Sequence, residues 1–129
     1  MIYILCIGSN EHQQENLLLA RRLLQELFVD IQFSNEEETA PVNCQRQAMF
    51  LNQMACFTSH LVPSEITPLL KRIEQEAKRT VEEKKQGIIR LDIDLLANVN
   101  SVTETYTVYK PDDWNRDYVQ RGLQSLHIK

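Results

Sequence analysis

Two aspartates, Asp92 and Asp94, stand in the segment RLDIDLL at residues 90–96, which after its leading arginine reads as a buried β-strand. Successive strand side chains point to opposite faces, so Asp92, Asp94 and Leu96 share one face while Leu91, Ile93 and Leu95 share the other. A rise of ~3.3 Å per residue sets the two aspartate Cα atoms about 7 Å apart. Like charges this close on a half-buried surface raise each other's pKa and oppose folding unless a cation neutralises them. A divalent metal resolves the conflict, and oxygen ligation completed by water and phosphate oxygens is what Mg²⁺ prefers. The alternative is an edge strand with both carboxylates on its solvated face. Basic residues crowd nearby in sequence (Lys78, Arg79, Lys84, Lys85 and Arg90), and the stretch KRTVEEKKQG reads as a charged, mobile loop ending in glycine. Metal, basic side chains and a mobile cover together point to phosphoryl chemistry, where positioning and charge neutralisation do most of the catalysis.

Other chemistries find less support. With three glycines, Gly8, Gly87 and Gly122, neither the P-loop pattern nor a G-x-G-x-x-G fingerprint can be written. Any nucleotide must be held by side chains and metal. Cys6, Cys44 and Cys56 are odd in number and contain no C-x-x-C pair, which argues against a disulfide framework or a zinc knuckle and fits a reducing cytoplasm. His12, His60 and His127 have no carboxylate or thiol partner at a telling spacing, so a serine or cysteine nucleophile is not supported. A formal charge of -4 disfavours a nucleic-acid or anionic-membrane partner. The early apolar run at residues 2–7 is too short for a secretion signal, and no stretch approaches the ~20 apolar residues of a membrane span.

The elements that must carry the aspartates follow from periodicity. At 129 residues, 43% hydrophobic and 25% charged, the chain has the size of one domain, residues 1–129. IYILCIGSN predicts a central strand, and Leu17, Ala20, Leu24 and Leu27 predict an amphipathic helix over 12–28. VDIQFSNEEETAPV predicts a strand that breaks at Pro41. AMFLNQMACFTS predicts a second inner strand, apolar on both faces with Asn52 and Gln53 as one amide on each. Pro63 and Ser64 open a helix whose stripe is Ile66, Leu69, Leu70, Ile73 and Ala77, with Pro68 expected within its first turn. The RLDIDLLANVN strand follows, then a short strand at 106–109 and a helix over 112–126 carrying Trp114, Tyr118, Leu123 and Leu126. The order strand, helix, strand, strand, helix, strand predicts an α+β, ferredoxin-like βαββαβ sandwich, a mostly antiparallel sheet with helices packed on one face.

In combination, IGSN at the end of the first strand, Thr39-Ala40-Pro41, Phe50-Leu51-Asn52, Arg72-Ile73-Glu74 followed by Arg79, and LDIDLL at 91–96 resemble the 6-hydroxymethyl-7,8-dihydropterin pyrophosphokinases of folate synthesis. Order and spacing agree over about the first hundred residues. The resemblance implies ATP and a reduced pterin as substrates, AMP as a product, and two Mg²⁺ ions held by Asp92 and Asp94. It implies Arg79 as a further catalytic group and Glu74, Arg79 and Leu95 on the ATP side, where Lys78 adds a compensating charge and Arg90 is read as a catalytic substitute for an arginine that the family has and this chain lacks. For the pterin it implies Gly8, Thr39, Ala40, Pro41, Val42, Phe50 and Asn52. Taken without the family, Asn52 reads as a buried capping amide and Phe50 as core.

Departures from the family pattern cluster on the ATP side. Where the family shows G-R-x-R, this chain has Lys78-Arg79-Thr80-Val81, and W-G-P-R is reduced to QGII. The later pattern P-H-x-x-x-x-x-R-x-F is reduced within KPDDWNRDYV, with Asp112 read at the histidine position. Arg90 is expected on the Asp92 face, as a substitute phosphate contact, while Lys78, Lys84, Lys85 and Arg116 could compensate as point charges. Weakened nucleotide binding is the expected consequence. Two other readings stay open: a catalytically silent paralogue that binds a pterin-like heterocycle, and a ferredoxin-like interaction module.

Overall fold

β1, Ile2–Ser9, is buried along almost its whole length because both faces of the sheet are covered around it. We describe a computed structural model of the chain over residues 1–41, 48–100 and 102–126. Val42 and Cys44 therefore lie outside the described residues, as does His127. After β1 come α1 (Gln13–Leu27), β2 (Gln32–Phe33), β3 (Glu37–Thr39), β4 (Phe50–Thr58), α2 (Pro63–Glu76), α3 (Val81–Lys85), β5 (Asp92–Asn100), β6 (Thr105–Val108), α4 (Pro111–Trp114) and α5 (Asp117–Ser125).

The sheet is six-stranded and antiparallel at every pairing, in the order β2-β4-β1-β5-β6, with β3 also pairing β4. With α1 and α2 packed on one face, this is the ferredoxin-like arrangement that the element order predicts. Tyr3, Leu5 and Ile7 of β1 meet Leu17, Ala20 and Leu24 of α1 and Ile66, Leu70 and Ile73 of α2. On the opposite face Ile4, Cys6, Met54 and Leu96 pack against Val119 and Leu123 of α5 and against Leu126. Gly122 sits where α5 crosses β4, since a Cβ there would collide with Met54, which is buried.

The register of β5 against β1 slips by one residue, Ile4 pairing Ala97 while Leu5 pairs Leu95. Leu96 is the extra residue of a bulge, so Leu96 and Val99 both reach the α5 face although three positions apart. β6 pairs β5 only from Ala97 onward. The Asp92–Leu96 half of β5 is thus left without a neighbouring strand on that side.

Several local expectations are corrected. Leu27 is 44% exposed and Phe28 fills its place in the core, stacked on Phe57. The polar strand before Pro41 is two short strands, with Ser34 turning inward between them to bond the Met54 amide at 2.9 Å. Pro68 is the sixth residue of α2 rather than a first-turn residue; it is exposed, and without an N–H it cannot donate to the Ser64 carbonyl one turn back. KRTVEEKKQG is not a loop throughout: Thr80 caps α3 by accepting the Glu83 amide at 3.1 Å, with glutamates in the first turn and lysines in the last, as the helix dipole favours. The C-terminal helix is broken into α4 and α5 at Arg116, whose backbone is extended (φ −70, ψ 145) and whose amide closes a tight turn onto the Asp113 carbonyl at 3.1 Å. Among the described residues no helix is long and apolar enough to cross a membrane.

Gly122→Ala is expected to lower stability by about 1 kcal/mol, overpacking against Met54 outweighing the helix propensity alanine gains. Urea unfolding of the two proteins checks this, and a stabilised variant would contradict the packing described.

Candidate active site

The free half of β5 is where the chemistry-bearing side chains gather. Asp92 pairs with Gly8 and Asp94 with Cys6 across the β1 ladder, so both carboxylates project from the face opposite α1 and α2. Asp92 Oδ1 accepts Arg79 Nη1 at 2.9 Å, and the same nitrogen lies 3.2 Å from the Leu91 carbonyl and 3.1 Å from Glu74 Oε2. Glu74 Oε2 also accepts the Ile93 amide at 2.8 Å, so the α2 carboxylate occupies the place a neighbouring strand's carbonyl would take. Arg79 reaches this point because the chain leaves α2 through Lys78 at φ 64 and bends back toward β5. Asp94 Oδ1 accepts Lys110 Nζ at 2.6 Å.

The two aspartates are close enough to hydrogen-bond each other, which sets their electrostatics. Burial, then the Asp92 charge, pushes Asp94 up to about 6. Burial opposes ionisation of Asp92 too, but the proton held by Asp94 and the Arg79 guanidinium overcome it and keep Asp92 below the usual carboxylate range. Burial raises Glu74 as well.

Two cavities meet at this pair. The first, of about 660 Å³, has Asp92, Asp94 and Phe50 on one side and the cationic side chains Lys71, Arg79, Lys84 and Lys110 around it. The second, of about 640 Å³, shares Phe50 and both aspartates and extends to Gly8, Asn52 and Tyr118. Both are of a size that takes a small organic ligand. In the second, Asn52 Nδ2 donates to Thr39 Oγ1 at 2.6 Å, fixing the plane of the amide. A Cβ on Gly8 would lie 3.0 Å from Asn52 Oδ1, so glycine leaves that oxygen uncrowded. Cys6 lines the same cavity, and burial and both aspartates raise its thiol.

The residues singled out in the sequence divide accordingly. Asp92, Asp94, Arg79, Glu74 and Leu95 line the first cavity, and Gly8, Thr39, Ala40, Phe50 and Asn52 the second. Pro41 adjoins the second cavity in sequence without lining it, and Val42 lies outside the described residues. Lys78 is exposed and lines neither cavity. Arg90 is not on the aspartate face: β5 begins only at Asp92, and the guanidinium forks onto Glu83 at 2.8 and 3.0 Å, tying α3 to the strand. Lys110 and Tyr118 were missed as site residues. The signal for them was present, because P-H-x-x-x-x-x-R-x-F read from Tyr109 places Lys110 at the histidine, Arg116 at the arginine and Tyr118 at the aromatic. Asp112, read above at the histidine position, is exposed instead.

Residues 4–128 match the family described as 7,8-dihydro-6-hydroxymethylpterin-pyrophosphokinase, and the chain belongs to that family. It is also similar to a folate synthesis bifunctional protein of Arabidopsis thaliana, 28% identical over an alignment of 127 positions that covers 95% of this chain. The chain spans only 26% of that relative's length.

The donor set suits the metal that the family implies. Two hard carboxylate oxygens sit side by side, both facing cations, and among the described residues no cluster of three or more His, Cys, Asp or Glu surrounds them. A pair of carboxylates would leave most of an octahedral shell to water and phosphate oxygens, the kind of environment Mg²⁺ takes.

Because Asp94 titrates near 6 in the folded chain against 3.8 for an unperturbed carboxyl, the folded state keeps a proton that the unfolded state has released between those values. Stability from this group is complete below about pH 4 and is lost as pH rises through 6. In chelator, Asp94→Asn is therefore expected to gain on the wild type in melting temperature across that interval. A constant difference between the two from pH 4 to 7 would contradict the shared proton.

Proposed function

We propose that this chain transfers pyrophosphate from ATP to the hydroxymethyl group of a reduced pterin, releasing AMP, in folate synthesis. The observation that carries the reading is the junction of two cavities, one cationic and one built around a fixed amide, at a pair of carboxylates. A triphosphate in the first and a flat heterocycle in the second would bring the β-phosphorus and the hydroxymethyl oxygen together beside Asp92 and Asp94. The transfer forms the bond from that oxygen to the β-phosphorus and breaks the bond to the oxygen bridging the α- and β-phosphates.

Asp92 and Asp94 would hold Mg²⁺, two ions with ATP, which when bound neutralises the triphosphate and makes the attacking hydroxyl more acidic. Arg79 is held by Asp92, Glu74 and the Leu91 carbonyl, so its position is set before substrate arrives. Lys71 and Lys84 supply charge along the same cavity, as point charges without arginine's bidentate fork. On the other side, Asn52 meets the donor and acceptor edge of the pterin, while Phe50 and Tyr118 offer ring faces. The amide is pinned by Thr39, so it presents one orientation. Proximity of two bound substrates is itself a large part of such a rate enhancement.

Incubation with ATP, Mg²⁺ and 6-hydroxymethyl-7,8-dihydropterin is expected to release AMP, with Asp92→Ala or Asp94→Ala reducing turnover at least ~100-fold. No AMP at saturating substrates rejects the transferase. Pterin fluorescence quenching without turnover would then identify a heterocycle-binding protein instead.

A further inference from the structure

Asp92 and Asp94 are neutralised by two cations of different mechanical character. Arg79 is locked, its Nη1 lying within 3.2 Å of Asp92, Glu74 and the Leu91 carbonyl, and its side chain is 18% exposed. Lys110 is a long flexible side chain, 47% exposed, reaching across to Asp94, which is 23% exposed and fixed in mid-strand. The backbone beside it is anchored, since the Tyr109 amide donates to the Leu96 carbonyl at 2.8 Å and α4 starts at Pro111. The ammonium can therefore move while its Cα stays. The space beside it is the cavity already lined by Lys71, Arg79 and Lys84, where a free ammonium has like charges for neighbours.

We infer that Lys110 is an exchangeable counter-ion. It holds Asp94 Oδ1 in the metal-free protein, competes with a divalent cation for that oxygen, and once displaced turns into the cationic cavity to meet phosphate oxygens. This rests on the metal and nucleotide reading above. A metal arriving alone must strip Asp94 of its ammonium and leave that charge among other cations. A metal arriving with a triphosphate supplies both a replacement for Lys110 on Asp94 and an anion for the displaced ammonium. Lys110 thus couples the two ligands, opposing the metal by itself and favouring the metal–nucleotide complex.

The signature is a reversal of sign in one variant. Free Mn²⁺, followed by electron paramagnetic resonance, is expected to bind Lys110→Gln about fivefold more tightly than wild type, as fits loss of one partly exposed ion pair. The complex of Mn²⁺ with a nonhydrolysable ATP analogue, followed by calorimetry, is expected to bind the same variant about fivefold more weakly. Lys110→Arg, which keeps the charge, should show neither change, and a purely structural role would move both affinities the same way. Equal affinities in wild type and Lys110→Gln, or a shift of both in one direction, overturn the inference while leaving the site reading intact. Failure of wild type to bind Mn²⁺ under either condition overturns both. If Lys110→Gln does not fold, Lys110→Met takes its place with the same two expectations.

Discussion

The repulsion between Asp92 and Asp94 is the constraint around which this part of the fold is arranged. Two carboxylates on one strand face, partly withdrawn from water, cannot both stay charged without nearby cations. The chain brings those cations from distant segments: Arg79 from the turn after α2, and Lys110 from the end of β6. Burial and the Asp92 charge also push Asp94 up to about 6, so that below that pH it is the carboxyl of the pair that takes a proton. Glu74 belongs to the same arrangement, because it orders Arg79 with one oxygen and satisfies the strand amide of Ile93 with that same atom. Removing Arg79 or Lys110 would strip a partly buried carboxylate of a cation, and removing Glu74 would leave the Ile93 amide without that acceptor.

Such an arrangement needs an open strand edge, and the bulge at Leu96 marks where it begins. Beyond the bulge β6 pairs with β5 as an ordinary ladder; before it, the strand's outward groups are met by Glu74 and by the Arg79 turn. Were β6 longer, it would fill the space in which the cationic cavity lies. α3 stands on the other side of that space, held by the Arg90–Glu83 fork, while Asn10 ties the preceding turn by accepting the Ile89 amide at 2.7 Å. The residues between α2 and β5 thus form a built wall, which is why Arg90 serves the wall and not the aspartate face.

Alternation and helical spacing were enough to read β1, β4, β5, α1 and α2, since each of these buries a continuous apolar face and that requirement is local. They also placed Asp92 with Asp94 and opposed them to Ile93. What they missed depends on contacts remote in sequence or on caps. The Thr80 cap turned an expected loop into α3, and the extended backbone at Arg116 split the last helix although its apolar spacing continued across the break. Lys110 was invisible for a similar reason. Its partner lies 16 residues away on another strand, and a lysine between a tyrosine and a proline announces nothing unless the H-x-x-x-x-x-R-x-F spacing is set on it.

Under the proposed function the two halves of the site make different physical demands. Recognition of a flat heterocycle by its edge depends on hydrogen-bond direction, which weakens steeply away from linearity. Asn52 is accordingly buried, clamped by Thr39, and given room by a glycine across the ladder. Charge neutralisation depends mainly on distance and is far less sensitive to angle, so it can be met by flexible side chains of several kinds. On the cationic side this chain carries valine at 81 where its relatives' pattern has arginine, and lysine at 110 where it has histidine. Lys71, Lys84 and Lys110 restore the charge without restoring the geometry. Under the proposed function, the departures from the family pattern lie on the side where position can drift without loss of the interaction, and the amide side carries residues whose orientation is the interaction.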